Sequence, residues 1–172
     1  MQLTEIVASS FEVLNETLQE KDWNISLVLI GGQLGAYLLS DFRSTFDVDV
    51  LIKDIPRDAN RKEVEQALYQ SNLESVTVVE IPPVEEIEFK NEDTIKYSNL
   101  TVYIPTIEYF ALTKIFSARD KDEADLKEEG ILQECNIEKL LELIDEYKKD
   151  VLNPNNMNYN FNSLEKLFEQ YK

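Results

Sequence analysis

LVLIGGQLGAYLLSDFRSTFDVDVLIK, Leu27 to Lys53, is the stretch that decides the fold, because strand, glycine turn and paired acids follow one another within it. Leu27 to Ile30 is a short apolar run that stops at Gly31-Gly32, and Gln33 to Leu39 can continue as one or two helical turns. Two adjacent glycines lack the β-carbons that hold a bulky anion away, so their N–H groups and the helix N-terminus behind them can cradle a phosphate. The same pair also suits a plain tight turn from strand into helix. Phe46 to Ile52, FDVDVLI, has the apolar and β-branched content of a strand, with two acids near its start. Residues two apart in a strand share a face. Asp47 and Asp49 are therefore expected to project together, close enough to share one or two Mg²⁺ ions, while Val48 and Val50 enter the packing layer. Two like charges on one strand face require a cation between them, unless the face is exposed or pairs with Arg43.

Gly31-Gly32, then Arg43-Ser44-Thr45 and Asp47-Val48-Asp49, resembles the signature of the nucleotidyltransferase superfamily, a GG or GS turn followed by D-x-D. The resemblance is strongest to a small bacterial branch that includes toxin-type and uncharacterised nucleotidyltransferases. A second block, PTIEYFALTKIFSARDKDEADL from Pro105 to Leu126, is similar to that branch's E-x(5)-K-x(4)-R-x-K-D-x-x-D pattern. The resemblance implies an NTP held at Gly31, Gly32, Arg43 and Thr45, and Mg²⁺ or Mn²⁺ held by Asp47 and Asp49. It implies catalytic roles for the two aspartates and for Lys114, which would also contact the triphosphate. The family often has a third metal carboxylate on a neighbouring strand; this sequence has no clear aspartate for it, and Glu80 is the candidate chosen over Glu86 and Glu88.

Composition narrows the chemistry further. A chain of 172 residues is long enough for one domain with a proper core, or a compact core plus a helical appendage. The expected organisation is a core over residues 1–130 and a helical extension over 131–172 packed as one unit. No run approaches a membrane span and no signal pattern opens the chain, so a cytoplasmic location is expected. With no histidine and a single cysteine, Cys135, zinc clusters, histidine general bases and Ser-His-Asp triads are excluded. The net charge of -17, from 34 acids against 17 bases, disfavours an RNA or DNA acceptor. An NTP remains compatible because divalent metals neutralise phosphates and carboxylates together. The acceptor is left open among a small molecule, a protein and RNA, and the acidic surface also suits a basic, antitoxin-like protein partner.

Around this centre the chain reads as an α/β (α+β) fold, a mixed sheet flanked by helices. Val7, Phe11, Leu14 and Leu18 predict an amphipathic helix over 4–19, and Asn60 with Glu63 a capping box for a helix from Arg61 to about Gln70. Val76 to Ile81 is an expected third strand, and Ile95 to Tyr97 with Leu100 to Ile104 an expected hairpin. Glu80 to Asp93 carries six acids against Lys90 alone and is expected to be solvated loop. A helix is expected to start near Thr106 and, if continuous, to reach Glu129 before Gly130 ends it. On it Arg119 falls in the apolar arc and needs Asp122 as partner; an ion-pair network of Arg119, Asp122 and Asp125 stands beside any catalytic role for that face. Asn136, and Asn162 with Glu165, are expected to cap two further helices.

Overall fold

The computed structural model describes residues 2–43, 45–76, 83–117, 119–151 and 159–170. The chain divides into two compact units, one of residues 1–78 with 87–106, the other of residues 79–86 with 107–172.

The first unit is built on a mixed sheet. Helix α1, Glu5–Lys21, begins at Thr4, whose hydroxyl accepts from the Val7 N–H, and ends at Asp22 in the left-handed conformation. Val7, Phe11, Leu14 and Leu18, spaced to fall on one face, are all buried. Strand β1, Ile25–Ile30, leads into α2, Gly31–Leu38, and strand β2, Asp49–Asp54, returns antiparallel to β1. Helix α3, Arg61–Gln70, is capped at the expected residue, Asn60, which accepts from the Lys62 N–H. Strands β3, Glu74–Ser75, β4, Ile95–Lys96, and β5, Leu100–Tyr103, complete a sheet of order β3-β2-β1-β5-β4. The β1–β5 and β2–β3 pairs are parallel and the β4–β5 pair is the expected antiparallel one. Leu27, Val28 and Leu29 of the central strand are fully buried.

One strand boundary differs from the expectation in a way that matters. β2 starts at Asp49, so Asp47 lies in the loop before it, outside the ladder. The reason is the length of β1: Asp49 pairs with Ile30, the last residue before Gly31 turns the chain at φ 69°, so β1 offers no partner to residues further back, although the Val48 carbonyl still accepts from the Glu74 N–H at 2.8 Å. Strand β3 lies just ahead of the expected third strand; of residues 76–81, all but Val76 lie outside the described residues, Glu80 among them.

The second unit is helical among its described residues: α4, Ile107–Ile115, α5, Asp120–Glu128, α6, Ile131–Glu134, α7, Ile137–Lys148, α8, Asn160–Ser163, and α9, Glu165–Glu169. Its core gathers Phe110, Leu112, Ile115, Leu126, Leu132 and Leu140. Asn136 caps α7 by accepting from Lys139 N–H, as expected.

The single helix expected over 106–129 is broken into α4 and α5. Ser117 makes the break: its carbonyl accepts from Asn160 N–H at 2.8 Å and its hydroxyl from Arg119 N–H at 3.0 Å. In an unbroken helix, at 1.5 Å rise per residue, Lys114 would stand about 12 Å along the axis from Asp122 and about 16 Å from Asp125. The break brings Lys114 Nζ to 3.2 Å from Asp122 Oδ1 and 2.7 Å from Asp125 Oδ2.

Among the described residues no helix is long and apolar enough to cross a membrane.

Candidate functional site

The site at the head of α2 follows from how the segment 42–49 lies on that helix. Gly31, Gly32 and Gly35 fall close together on one side of α2, and each is met by a residue of that segment. A β-carbon added at Gly31 would stand 2.7 Å from Asp49 Oδ2, and one at Gly32 would stand 2.6 Å from Thr45 Cγ2. At Gly35 the Phe42 ring would lie equally close, 2.6 Å from such an atom. The glycines are thus required by the chain's own packing, whatever ligand the turn receives. Gly31 is required twice over, since its φ of 69° is one that side-chain-bearing residues adopt at a cost.

Gln33 anchors the arrangement and was not legible as a site residue. It is 3% exposed; its Nε2 donates to the Thr45 carbonyl at 2.8 Å and its Oε1 accepts from the Thr4 hydroxyl at 3.3 Å. A buried amide so placed fixes the loop against both α2 and the start of α1. The available signal was an amide inside an otherwise apolar and small helix.

Of the predicted residues, Gly31, Gly32, Thr45 and Asp49 come together here. Asp49 is half-buried, and the β1–β2 register puts it on the sheet face shared with its partner Ile30. Ile30, at the N-cap position of α2, contributes no side-chain cap, and the first-turn N–H groups of any helix lack intrahelical acceptors. Arg43 is half-buried with its guanidinium 5.3 Å from the centre of the Phe42 ring. Asp47 is exposed and lines a cleft of about 770 Å³ together with residues of α1, α3 and β3. Glu80 and Ser44 lie outside the described residues. The arrangement at α2 is thus a glycine turn opening a helix with Asp49, the second aspartate of D-x-D, packed beside it.

The chain belongs to the DUF6036 family. That family, described as a nucleotidyltransferase of unknown function, matches residues 7–172, nearly the whole chain. Neither the curated proteins nor the solved structures contain a match. Membership implies a nucleotide substrate, and both motif blocks fall inside the matched range.

In this DUF6036 protein Lys114 is 4% exposed and holds two carboxylates, Asp122 and Asp125, both similarly buried. Arg119 Nε and Nη2 grip Asp122 as a fork, at 2.8 and 3.0 Å. The Arg119–Asp122 pairing expected from the sequence is therefore present, yet the Arg119 side chain is 71% exposed and does not enter an apolar arc. The cause is the helix break, which makes Arg119 the N-cap residue of α5. Burial pushes the Asp122 carboxyl upward, but bonds from Arg119 and Ser117 and the nearby charges of Lys114 and Arg119 outweigh it and hold the group below its ordinary 3.8. Burial also pushes the Cys135 thiol up to about 12, which removes it as a nucleophile at neutral pH.

Among the described residues no three cysteine, aspartate or glutamate side chains gather as a metal cage would need. Mg²⁺ dehydrates reluctantly and is ordinarily held by one or two carboxylates plus substrate phosphates; Asp49, half-buried beside Gly31, is a donor that suits such an ion, while Asp47 lines the cleft against α1, α3 and β3.

Proposed function

We propose that this DUF6036 protein transfers a nucleoside monophosphate from an NTP to an acceptor hydroxyl, releasing pyrophosphate. The observation that carries the reading is the contact between the Asp49 carboxylate and Gly31 at the head of α2, where an added β-carbon would come within 2.7 Å. A carboxylate able to hold a divalent ion and a backbone turn able to hold phosphate oxygens are there within one contact distance.

In this reading the Gly31 and Gly32 N–H groups and the positive end of α2 receive phosphate oxygens. The Thr45 hydroxyl and the Arg43 guanidinium serve the nucleotide from the same segment. Asp47 and Asp49 hold Mg²⁺ or Mn²⁺, and Glu80 is the proposed third carboxylate. The chemistry the metal supplies when bound is neutralisation of the triphosphate and of the charge on attacking and leaving oxygens. The acceptor oxygen bonds to the α-phosphorus, the bond from that phosphorus to the pyrophosphate oxygen breaks, and the acceptor proton passes to a nearby carboxylate or to solvent. Lys114 serves first to neutralise Asp122 and Asp125; a phosphate contact from it requires those ion pairs to be exchanged.

A second reading, a catalytically inactive fold that senses nucleotide or binds protein, is favoured by one observation. The chain carries 34 acids against 17 bases, a surplus that suits a basic protein partner. Pyrophosphate release separates the two. The enzyme reading expects release with NTP and Mg²⁺ or Mn²⁺ when a suitable acceptor is supplied from a panel of amino-sugars, polypeptides and RNA, and its loss in Asp49→Asn. NTP binding without release across that panel supports the sensor.

A further inference from the structure

The cleft that Asp47 lines is chemically unlike the glycine turn. Its wall includes Glu5 of α1, Glu74 of β3 and Asp47, three acids, and among the described residues no lysine or arginine. Three large apolar side chains also line it and are left in solvent: Ile6 is 49% exposed, Tyr69 77% and Phe46 83%. An exposed phenylalanine beside an exposed tyrosine carries apolar area that a bare surface has no use for. Ser10 lines the same cleft at 6% exposure.

We infer that this cleft docks a basic, apolar-bearing polypeptide segment, its lysine or arginine groups meeting Glu5, Asp47 and Glu74 and its apolar side chains covering Phe46 and Tyr69. A nucleic acid would bring phosphates against three carboxylates and a chain of net charge -17. A small polyamine would meet the acids and leave the aromatic rings bare. A cationic polypeptide uses both. Because Asp47 belongs to both the cleft and the D-x-D, the docked segment lies at the proposed reaction centre. That placement rests on the nucleotidyl-transfer reading; the docking itself does not.

The test uses the full chain and fluorescence anisotropy of a labelled twelve-residue peptide of alternating lysine and leucine. A glutamate–leucine peptide and labelled spermine serve as comparisons. Glu5→Lys/Glu74→Lys should weaken the lysine–leucine peptide by at least about tenfold, whereas Glu138→Lys/Glu142→Lys, the same charge change on α7, should leave it within about twofold. Phe46→Ser/Tyr69→Ser should weaken the peptide by about tenfold and leave spermine unchanged. Thermal melts of each variant report folding, and ATP with Mg²⁺ is titrated in parallel. Equal weakening by the two charge-reversed variants, spermine binding as tightly as the peptide, or displacement of the peptide by single-stranded RNA would each overturn the inference. Peptide binding with the predicted variant pattern but no nucleotide binding would sustain the docking site and remove the nucleotidyl-transfer reading instead.

Discussion

Replacing Gly31 by alanine puts the account of the α2 turn under the most specific strain. Two costs add. A residue with a β-carbon held at φ 69° loses roughly 1–2 kcal/mol relative to glycine. The new atom also stands 2.7 Å from Asp49 Oδ2, where ordinary contact begins at 3.4 Å, so the carboxylate must retreat. The total of about 1–3 kcal/mol should lower the melting temperature by roughly 2–4 °C for each kcal/mol in a chain of this size. Displacing a carboxylate that holds a metal–nucleotide complex by a sizeable fraction of an ångström should cost about 10- to 100-fold in NTP affinity or transfer rate. A double-mutant cycle isolates the contact. In an Asp49→Ala background the displaced oxygen is gone, so the alanine at 31 should cost only the backbone strain. A coupling of about 0.5–3 kcal/mol between the two sites is expected. Additivity within about 0.3 kcal/mol, or an unchanged melting temperature in Gly31→Ala, would refute the reasoning.

Three further outcomes follow from the geometry. Gly32→Ala drives a methyl into Thr45 Cγ2 at 2.6 Å, so Thr45→Ala should restore most of the stability lost, as read by chemical denaturation. Lys114→Met removes the Lys114 cation from two buried carboxylates, Asp122 and Asp125, and should cost about 3–5 kcal/mol of stability; a loss under about 1 kcal/mol would mean the pairs are dispensable. Because the Asp122 carboxyl is held below its ordinary 3.8, its contribution is fully present above that pH and is lost as pH falls through the lower folded value. Asp122→Asn should therefore be less stable than wild type at pH 7 and show a flatter loss in acid.

Much of this was legible because local rules and the tertiary structure agree. The stripe Val7, Phe11, Leu14, Leu18 gave α1, and Asn60 and Asn136 marked two helix starts through the oxygen each offers to a first-turn N–H. The order of glycine turn and D-x-D also pointed to the residues that meet at α2. What escaped reading depends on non-local partners. The start of β2 is set by where β1 ends, so alternation alone put Asp47 inside a strand. The break between α4 and α5 is held by Asn160, more than forty residues downstream, whose N–H and side chain bond to Ser117 and Lys114 carbonyls. Periodicity through Thr106 to Glu129 had no means of reporting that, and with the break hidden, Lys114 read as a projecting lysine when it is a buried counter-ion. The glycines carry the same lesson. Their spacing was read for a phosphate, yet each also receives a side chain from the segment that follows.

The central claim is that Asp47 and Asp49 serve a divalent metal and a triphosphate at the Gly31 turn. Isothermal calorimetry of NTP binding with and without Mg²⁺, on wild type and on Asp47→Ala/Asp49→Ala, tests it most directly. The account predicts metal-dependent binding by the wild type that the double variant loses while keeping its fold. Equally tight binding by both proteins, or binding indifferent to the metal, would contradict it.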